Sequence, residues 1–300
     1  MHKAPLLVLA ILAATAAALV AANARADGPG PVDQPEPPDE AARHSIDRTW
    51  LYLDDAKLAA PLTAIGMSNA SYTSVGSSPT RVYSPYRALG ANTAQPGAMA
   101  SLGGEVGLVP RVSVMALGQL GFGGVSAGAS AGAVAGLRFQ LAPAAWRDTH
   151  LVASLGYVRE AWAGPVYSDD SGAWTPAQNH GDDGAWAQAA FAQDLGRLRL
   201  GTTVHAEHVF STGRDPVDVM VQLGASYRVA GAFRAGVEYV GQDIEETWSP
   251  AAEAGARHFV GPTASMQLLQ DRLTMVAGPA VGLSAFSPSL LGRFALAYGF

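Results

Sequence analysis

The 300-residue sequence predicts an all-β fold: a single closed, antiparallel, up-and-down β-barrel of about twelve strands crossing a membrane. Three observations predict it. Apolar residues alternate with polar or small ones over segments too long for ordinary soluble strands. Long and short connections between these segments tend to alternate. The composition is apolar yet holds no membrane helix.

Composition comes first. The chain is 49% hydrophobic and only 15% charged, against roughly 25% charged in soluble domains. Glycine is abundant, at 34 residues. No window past residue 26 holds the roughly 18 unbroken apolar residues of a membrane helix, so the hydrophobicity is spread along the chain. The net charge is −6 and no Lys/Arg cluster forms a basic patch, which argues against a nucleic-acid partner. Cysteine is absent. Disulfides and thiolate metal sites are therefore excluded, and the compartment is left open.

Residues 1–26 read as a secretory signal peptide. Met1-His2-Lys3 is a positive start, Leu6 to Ala22 is apolar, and Ala24-Arg25-Ala26 is a small-x-small cleavage site. Residues 27–49 form a linker, densest in Pro and acid over 27–40, which cannot pack a core and should be extended and solvated. The barrel domain is assigned to 50–300. Across the boundary, Arg48 to Leu53 has no firm place: it belongs either at the rim or inside the barrel mouth.

Period-two patterning begins near residue 62. Val217, Val219, Val221, Leu223, Ala225, Tyr227 and Val229 share one face, opposite Asp218, Met220, Gln222, Gly224, Ser226 and Arg228. Leu198 to Phe210 repeats the pattern, with Arg199, Thr203, His205 and Glu207 on the polar side. Residues 273–285 set Leu273, Met275, Ala277, Pro279, Val281, Leu283 and Ala285 against small residues. The expected strands are 62–75, 98–109, 111–122, 129–141, 150–162, 185–195, 197–209, 217–229, 232–243, 257–270, 272–285 and 288–300. Most exceed the about five or six residues of soluble strands and reach the about nine to eleven of a tilted membrane strand.

The longest links, 76–97, 163–184 and 244–256, all fall on one side of the barrel. The other side has tight links at Pro110, Gly196, Ala230-Gly231 and Asp271, with 142–149 as its longer exception. Short periplasmic turns and long external loops have this asymmetry. Phe139, Trp146, Tyr227, Phe233, Tyr298 and Phe300 collect near the short-turn ends, and Trp162, Trp186, Phe210, Tyr239 and Trp248 near the others. Two aromatic belts are what a bilayer selects, although Trp162 and Trp186 have inward parity. A soluble sandwich or lipocalin-like barrel shares the alternation; low charge, strand length and link asymmetry favour the membrane.

The chain closes on Pro288-Ser-Leu-Leu-Gly-Arg-Phe-Ala-Leu-Ala-Tyr-Gly-Phe300, with Leu290, Phe294, Leu296, Tyr298 and Phe300 on one face. This resembles the last strand of bacterial outer-membrane β-barrel proteins. The specific motif covers about the last ten residues; the topology extends the likeness over most of the mature chain. The resemblance implies an integral outer-membrane address in a Gram-negative bacterium. It also implies recognition of Phe294, Leu296, Tyr298 and Phe300 by the barrel assembly machinery, and a surround of lipid and lipopolysaccharide. It implies no activity.

Inward parity marks a lumen set: Glu105, Arg138, Glu160, Arg199, His205, Glu207, Gln222, Arg228, Arg234, Glu238 and Arg293. Its five Arg and four Glu fit either a polar pore whose charges set selectivity or salt bridges filling a narrow interior. A twelve-strand barrel lies between filled and open sizes. His205-Ala-Glu207-His208 invites a metal reading, but His208 falls on the opposite face and no HExxH is present. No cofactor or metal is expected. A lipid hydrolase needs Ser, His and an orienting group together; His208, with Thr202 and Thr212 nearby, finds no paired Ser, and no GxSxG elbow exists. Gly103-Gly104 and Gly121 to Gly124 are read as bends in the wall, since no GK[ST] follows. Asp169-Asp170 and Asp182-Asp183 are read as acidic loop residues, with divalent-cation binding as the alternative. The favoured function is a small channel for polar solutes. A closed structural or surface-binding barrel, working through loops 76–97 and 163–184, is the second reading, and a lipid-acting enzyme the third.

Overall fold

The computed structural model describes residues 56–73, 80–83, 88–91, 97–123, 129–143, 146, 148–163, 166–168, 173–175, 180–210, 217–242, 244, 256–269, 271–284, 287 and 289–300. The signal peptide, the linker, the Arg48 to Leu53 segment, Asp169-Asp170 and most of 244–256 lie outside them.

The strands in chain order are β1 (Ala64–Thr73), β2 (Thr80–Tyr83), β3 (Ala88–Ala91), β4 (Gly97–Val109), β5 (Val112–Gly123) and β6 (Ala129–Gln140). There follow β7 (Thr149–Ala163), β8 (Val166–Ser168), β9 (Ala173–Thr175), β10 (His180–Leu195) and β11 (Leu198–Val209). The last five are β12 (Asp218–Ala230), β13 (Phe233–Gln242), β14 (Arg257–Leu268), β15 (Leu273–Gly282) and β16 (Leu290–Gly299). Twelve of them close into one barrel, ordered β1-β16-β15-β14-β13-β12-β11-β10-β7-β6-β5-β4. Every neighbouring pair is antiparallel, and β1 closes the ring by pairing β16 (Ile65 opposite Gly299) and β4 (Ala64 opposite Val106). Closure leaves no unpaired sheet edge, which hydrocarbon would penalise.

All twelve expected strands are present. The largest boundary difference is in β10, which begins at His180 rather than 185, so Asp182 and Asp183 belong to a strand and not to a loop. Their ladder continues because β7 supplies partners as far as Trp162. A strand emerging into water loses the apolar alternation that marks it in sequence. The long links also carry two short hairpins, β2–β3 and β8–β9.

Burial alternates with the pleat. On β5, Ser113, Met115, Leu117 and Gln119 are buried while Val114, Ala116 and Leu120 are exposed. The outer wall bares Leu102, Leu120, Leu155, Tyr157, Val237, Val281 and Phe294. An apolar surface this continuous belongs against lipid rather than water. No helix among the described residues is long and apolar enough to cross a membrane, which has no bearing on crossing by strands.

The two ends differ. The "turn end" carries β4–β5, β10–β11 and β12–β13 turns with positive φ at Arg111 (74°), Gly196 (66°) and Gly231 (50°). The β14–β15 turn has Leu269 at 53° and Asp271 at 64°. The "loop end" carries the long links. Between β14 and β15 the ladder breaks off after Val260 opposite Val281 and resumes at Ala264 opposite Ala277. Constant register places Pro262 opposite Pro279, and neither has an N–H to donate. Each still pairs with its other neighbour, Pro262 with Val237 and Pro279 with Gly292.

Candidate functional site

The site is the barrel interior, built by the inward half of each strand. At the turn end, Arg138 of β6 forms an ion pair with Glu105 of β4, both fully buried. The remaining capacity of Glu105 is used by the Ser113 hydroxyl at 2.7 Å and the Ala59 backbone N–H at 2.8 Å. Beside them, Arg199 donates to both oxygens of Asp194 at 2.7 and 2.9 Å. His150 approaches the same carboxylate at 3.5 Å, and Thr149 donates to Gln193 at 2.6 Å. Arg234 reaches the Ser226 hydroxyl at 3.3 Å.

Further in, the Trp186 ring stacks on His205, centroids 5.8 Å apart and 19° from parallel. Trp186 fits because Gly156 of β7 and Gly136 of β6 have no side chains; a Cβ on either would run into the indole as well as into strand backbone. His205 faces Gln188 at 3.3 Å and Glu207 at 3.8 Å. Gln222 donates to the Met220 sulfur at 3.4 Å. Two apolar clusters occupy facing sides of the ring. One holds Met220, Val240, Phe259, Val276, Ala280 and Leu291; the other Met115, Leu117, Val134, Val158 and Trp186.

Glu105, Arg138, Arg199, His205, Glu207, Gln222, Arg234, Glu238 and Arg293 are thus all buried inward side chains. Arg228 is not: it is exposed, one rung before the register shift that leads into the Gly231 turn. Its parity is inward, yet it is exposed while Arg234, directly opposite on β13, is buried and bonds Ser226. Glu160 lies on β7 opposite Gly132 and Asp182; its side chain is outside the described set. His208 faces outward, edge-on to Phe210 at 5.4 Å, and does not join His205 and Glu207.

Periodicity reasoning missed several features. Asp183 accepts from the Tyr157 hydroxyl and lies 3.3 Å from Arg159 on the outer wall. His258 also faces outward, stacked on Tyr239 with Nδ1 2.7 Å from the Tyr hydroxyl. Ser287 lies beside it, but its hydroxyl bonds the His258 backbone N and O, each at 3.0 Å, and Ser284 at 2.8 Å. Parity alone, had it been carried from Val260 back to His258, would have placed that histidine. The largest omission is chain entering the turn end: Ala56 is 0% exposed and packs with Val152, Ala190 and Ala192 inside the wall.

No protein-family model matches the chain, and no curated protein matches it. Solved structures do. The chain is similar to the COG4313 outer membrane channel from Pseudomonas putida F1, with a TM-score of 0.50 and 14% identity over 82% of this chain and 98% of that one. It is also similar to the β domain of the Bordetella autotransporter BrkA (TM-score 0.47, 10% identity, 79% and 99% covered). The KdgM porin, solved with disordered oligogalacturonate, has a TM-score of 0.46 and 7% identity, with 79% and 99% covered.

Proposed function

From the premise that this chain has the fold of the outer-membrane β-barrels, we propose that it is a bacterial outer-membrane channel for small polar solutes. One observation carries the reading: buried charge occurs at every level of the interior. Arg138, Arg199 and Arg234 lie near the turn end, Glu238 and Arg293 midway, and Glu207 and Arg257 toward the loop end. Apolar side chains fill a closed barrel at lower desolvation cost, since replacing a buried ion pair by apolar groups is often stabilising by about 1–4 kcal/mol. A column of charge is understandable where solute and ions are to be met. In this reading the turn end faces the periplasm and lipopolysaccharide surrounds the loop end. The assembly machinery reads the face of Phe294, Leu296, Tyr298 and Phe300.

The test is single-channel recording of refolded protein in planar bilayers. Conductance steps are expected, with ion selectivity altered by Arg199→Ala and Glu207→Ala; silence at every salt concentration, in the wild type and in a deletion of 56–61 alike, sinks the channel.

A second reading has its own support. Arg138, Arg199, Phe259, Met115 and Met220 are almost wholly buried, as in a filled barrel with a structural or surface-binding role. The same recording decides between the two. A lipid hydrolase has less support, because the Ser287 hydroxyl is engaged by backbone and Ser284 rather than by an imidazole. Purified protein in detergent with calcium should release no fatty acid.

A further inference from the structure

The chain ahead of β1 does not stay at the rim. At residues 60–63 it reverses: Thr63 N–H donates to Ala60 O at 3.0 Å, with Leu62 at φ 61°. That turn sends residues 56–60 back inside the turn end. There the segment crosses a chord of the ring. At one side Ala59 N–H donates to Glu105 of β4, and Pro61 bridges Gly107 in parallel. Three and four strands around the ring, Ala56 packs on Val152 of β7 and on Ala190 and Ala192 of β10, with Leu58 against the same cluster. Lys57 lies within electrostatic reach of Asp194.

The wall has a seat shaped for this segment. Gly107 lies against it so closely that a Cβ there would overlap the Ala59 and Ala60 carbonyl oxygens. Small residues on both sides, Ala56 against Ala190 and Ala192, let the segment lie close to the wall. The buried Glu105, already paired with Arg138, spends an acceptor on the segment's backbone.

We propose that residues 56–63 are a displaceable plug: an intramolecular ligand of the turn-end mouth whose release opens the path. This rests on the channel reading above. Leu62 and Thr63 are tied to Gly107 by two backbone hydrogen bonds at the turn, but residues 56–60 join no continuous ladder of the kind that links the barrel strands, so that inner stretch can leave while the barrel stays closed. Its seat combines one backbone bond to the Glu105 carboxylate, the bonds of Leu62 and Thr63 to Gly107, and alanine packing. The interior behind it is charged and does not depend on the plug for its ring closure.

The experiment uses the mature chain in planar bilayers, with heat-modifiable gel migration confirming that each variant is a folded barrel. Gly107→Val forces the Ala59 and Ala60 carbonyls away, and Ala59→Pro removes the donor to Glu105. Each should raise open probability about tenfold or more over wild type, the scale on which loss of a state-specific contact shifts a two-state equilibrium. The chain has no native cysteine, so Ala56→Cys combined with Ala190→Cys or Ala192→Cys makes a clean pair. Oxidation should hold the channel shut and reduction should release it. Channels that conduct equally in wild type, Gly107→Val and the oxidised pair would overturn the plug and leave the channel standing. Silence in every variant, including a deletion of 56–61, would overturn the channel reading itself and the plug with it.

Discussion

Arg199 holds Asp194 with two hydrogen bonds across the tight β10–β11 turn, and its own side chain is wholly buried. The fork geometry suits a guanidinium and a carboxylate, and no lysine could reproduce it. Removing Arg199 takes two hydrogen bonds from Asp194 and leaves the carboxylate with His150. Arg199→Ala should lower the unfolding free energy by about 3–5 kcal/mol, whereas Arg199→Met with Asp194→Leu should lose far less. Urea titration of liposome-embedded protein reads both; equal losses would show that the pair's charge is not what matters.

Trp186 depends on two absent side chains. Gly136→Val places methyls where the indole lies, whereas at Gly156 an added side chain meets the Ala135 carbonyl oxygen first; overpacking against the indole costs about 1–3 kcal/mol. His205 loses its stacking partner when the ring is displaced. The expected outcome is a lowered unfolding midpoint. It should be relieved in part by Trp186→Leu in the same variant; absence of any relief would mean the glycines serve the backbone alone.

The strands were legible because a bilayer enforces period two over a length that chance does not produce. Val217 to Val229 reads directly as one outward and one inward row, and the structure keeps both. Where lipid ends, the signal ends too. β10 ran five residues beyond expectation through Asp182 and Asp183, and Arg228 kept inward parity but is exposed opposite the buried Arg234. The segment at 56–63 was illegible for another reason. Its partners are scattered over β4, β7 and β10, and only the closed ring brings Glu105, Val152 and Ala190 to one place. No local pattern encodes that.

Arg111 occupies a left-handed backbone position, φ 74°, and turns its guanidinium onto the carbonyls of Gln140, Leu141 and Ala142 at 3.0, 3.0 and 3.2 Å. Two substitutions separate strain from bonding. Arg111→Ala loses the bonds and keeps the strain; Arg111→Gly loses the bonds and relieves it. The alanine variant should be the less stable, by about 1 kcal/mol. The reverse order in urea titration would contradict the backbone argument.

Phe300 stands edge-on to Tyr298, centroids 5.0 Å apart, and its ring lies over Gly66 of β1. The last residue therefore also covers the seam where the barrel closes. Deleting Phe300 should reduce the amount of folded barrel recovered from membranes in cells while leaving unassisted refolding into detergent much less affected. Equal loss in both would assign the ring to packing and not to recognition by the assembly machinery.

Pro262 and Pro279 change how the wall bears load. A closed barrel carries its hydrogen bonds as hoops, and a hoop is only as strong as its weakest joint. The joint that brings the two ends of the chain together is sound: β1 and β16 pair without interruption from Ile65 to Thr73. The slack joint is elsewhere, between β14 and β15, where two facing imino nitrogens leave rungs out. Amide exchange in β14 and β15 should outpace that in β1 and β16, and equal protection would refute this. The barrel would then part along an interior line rather than at its suture, and chain order says nothing about where it tears.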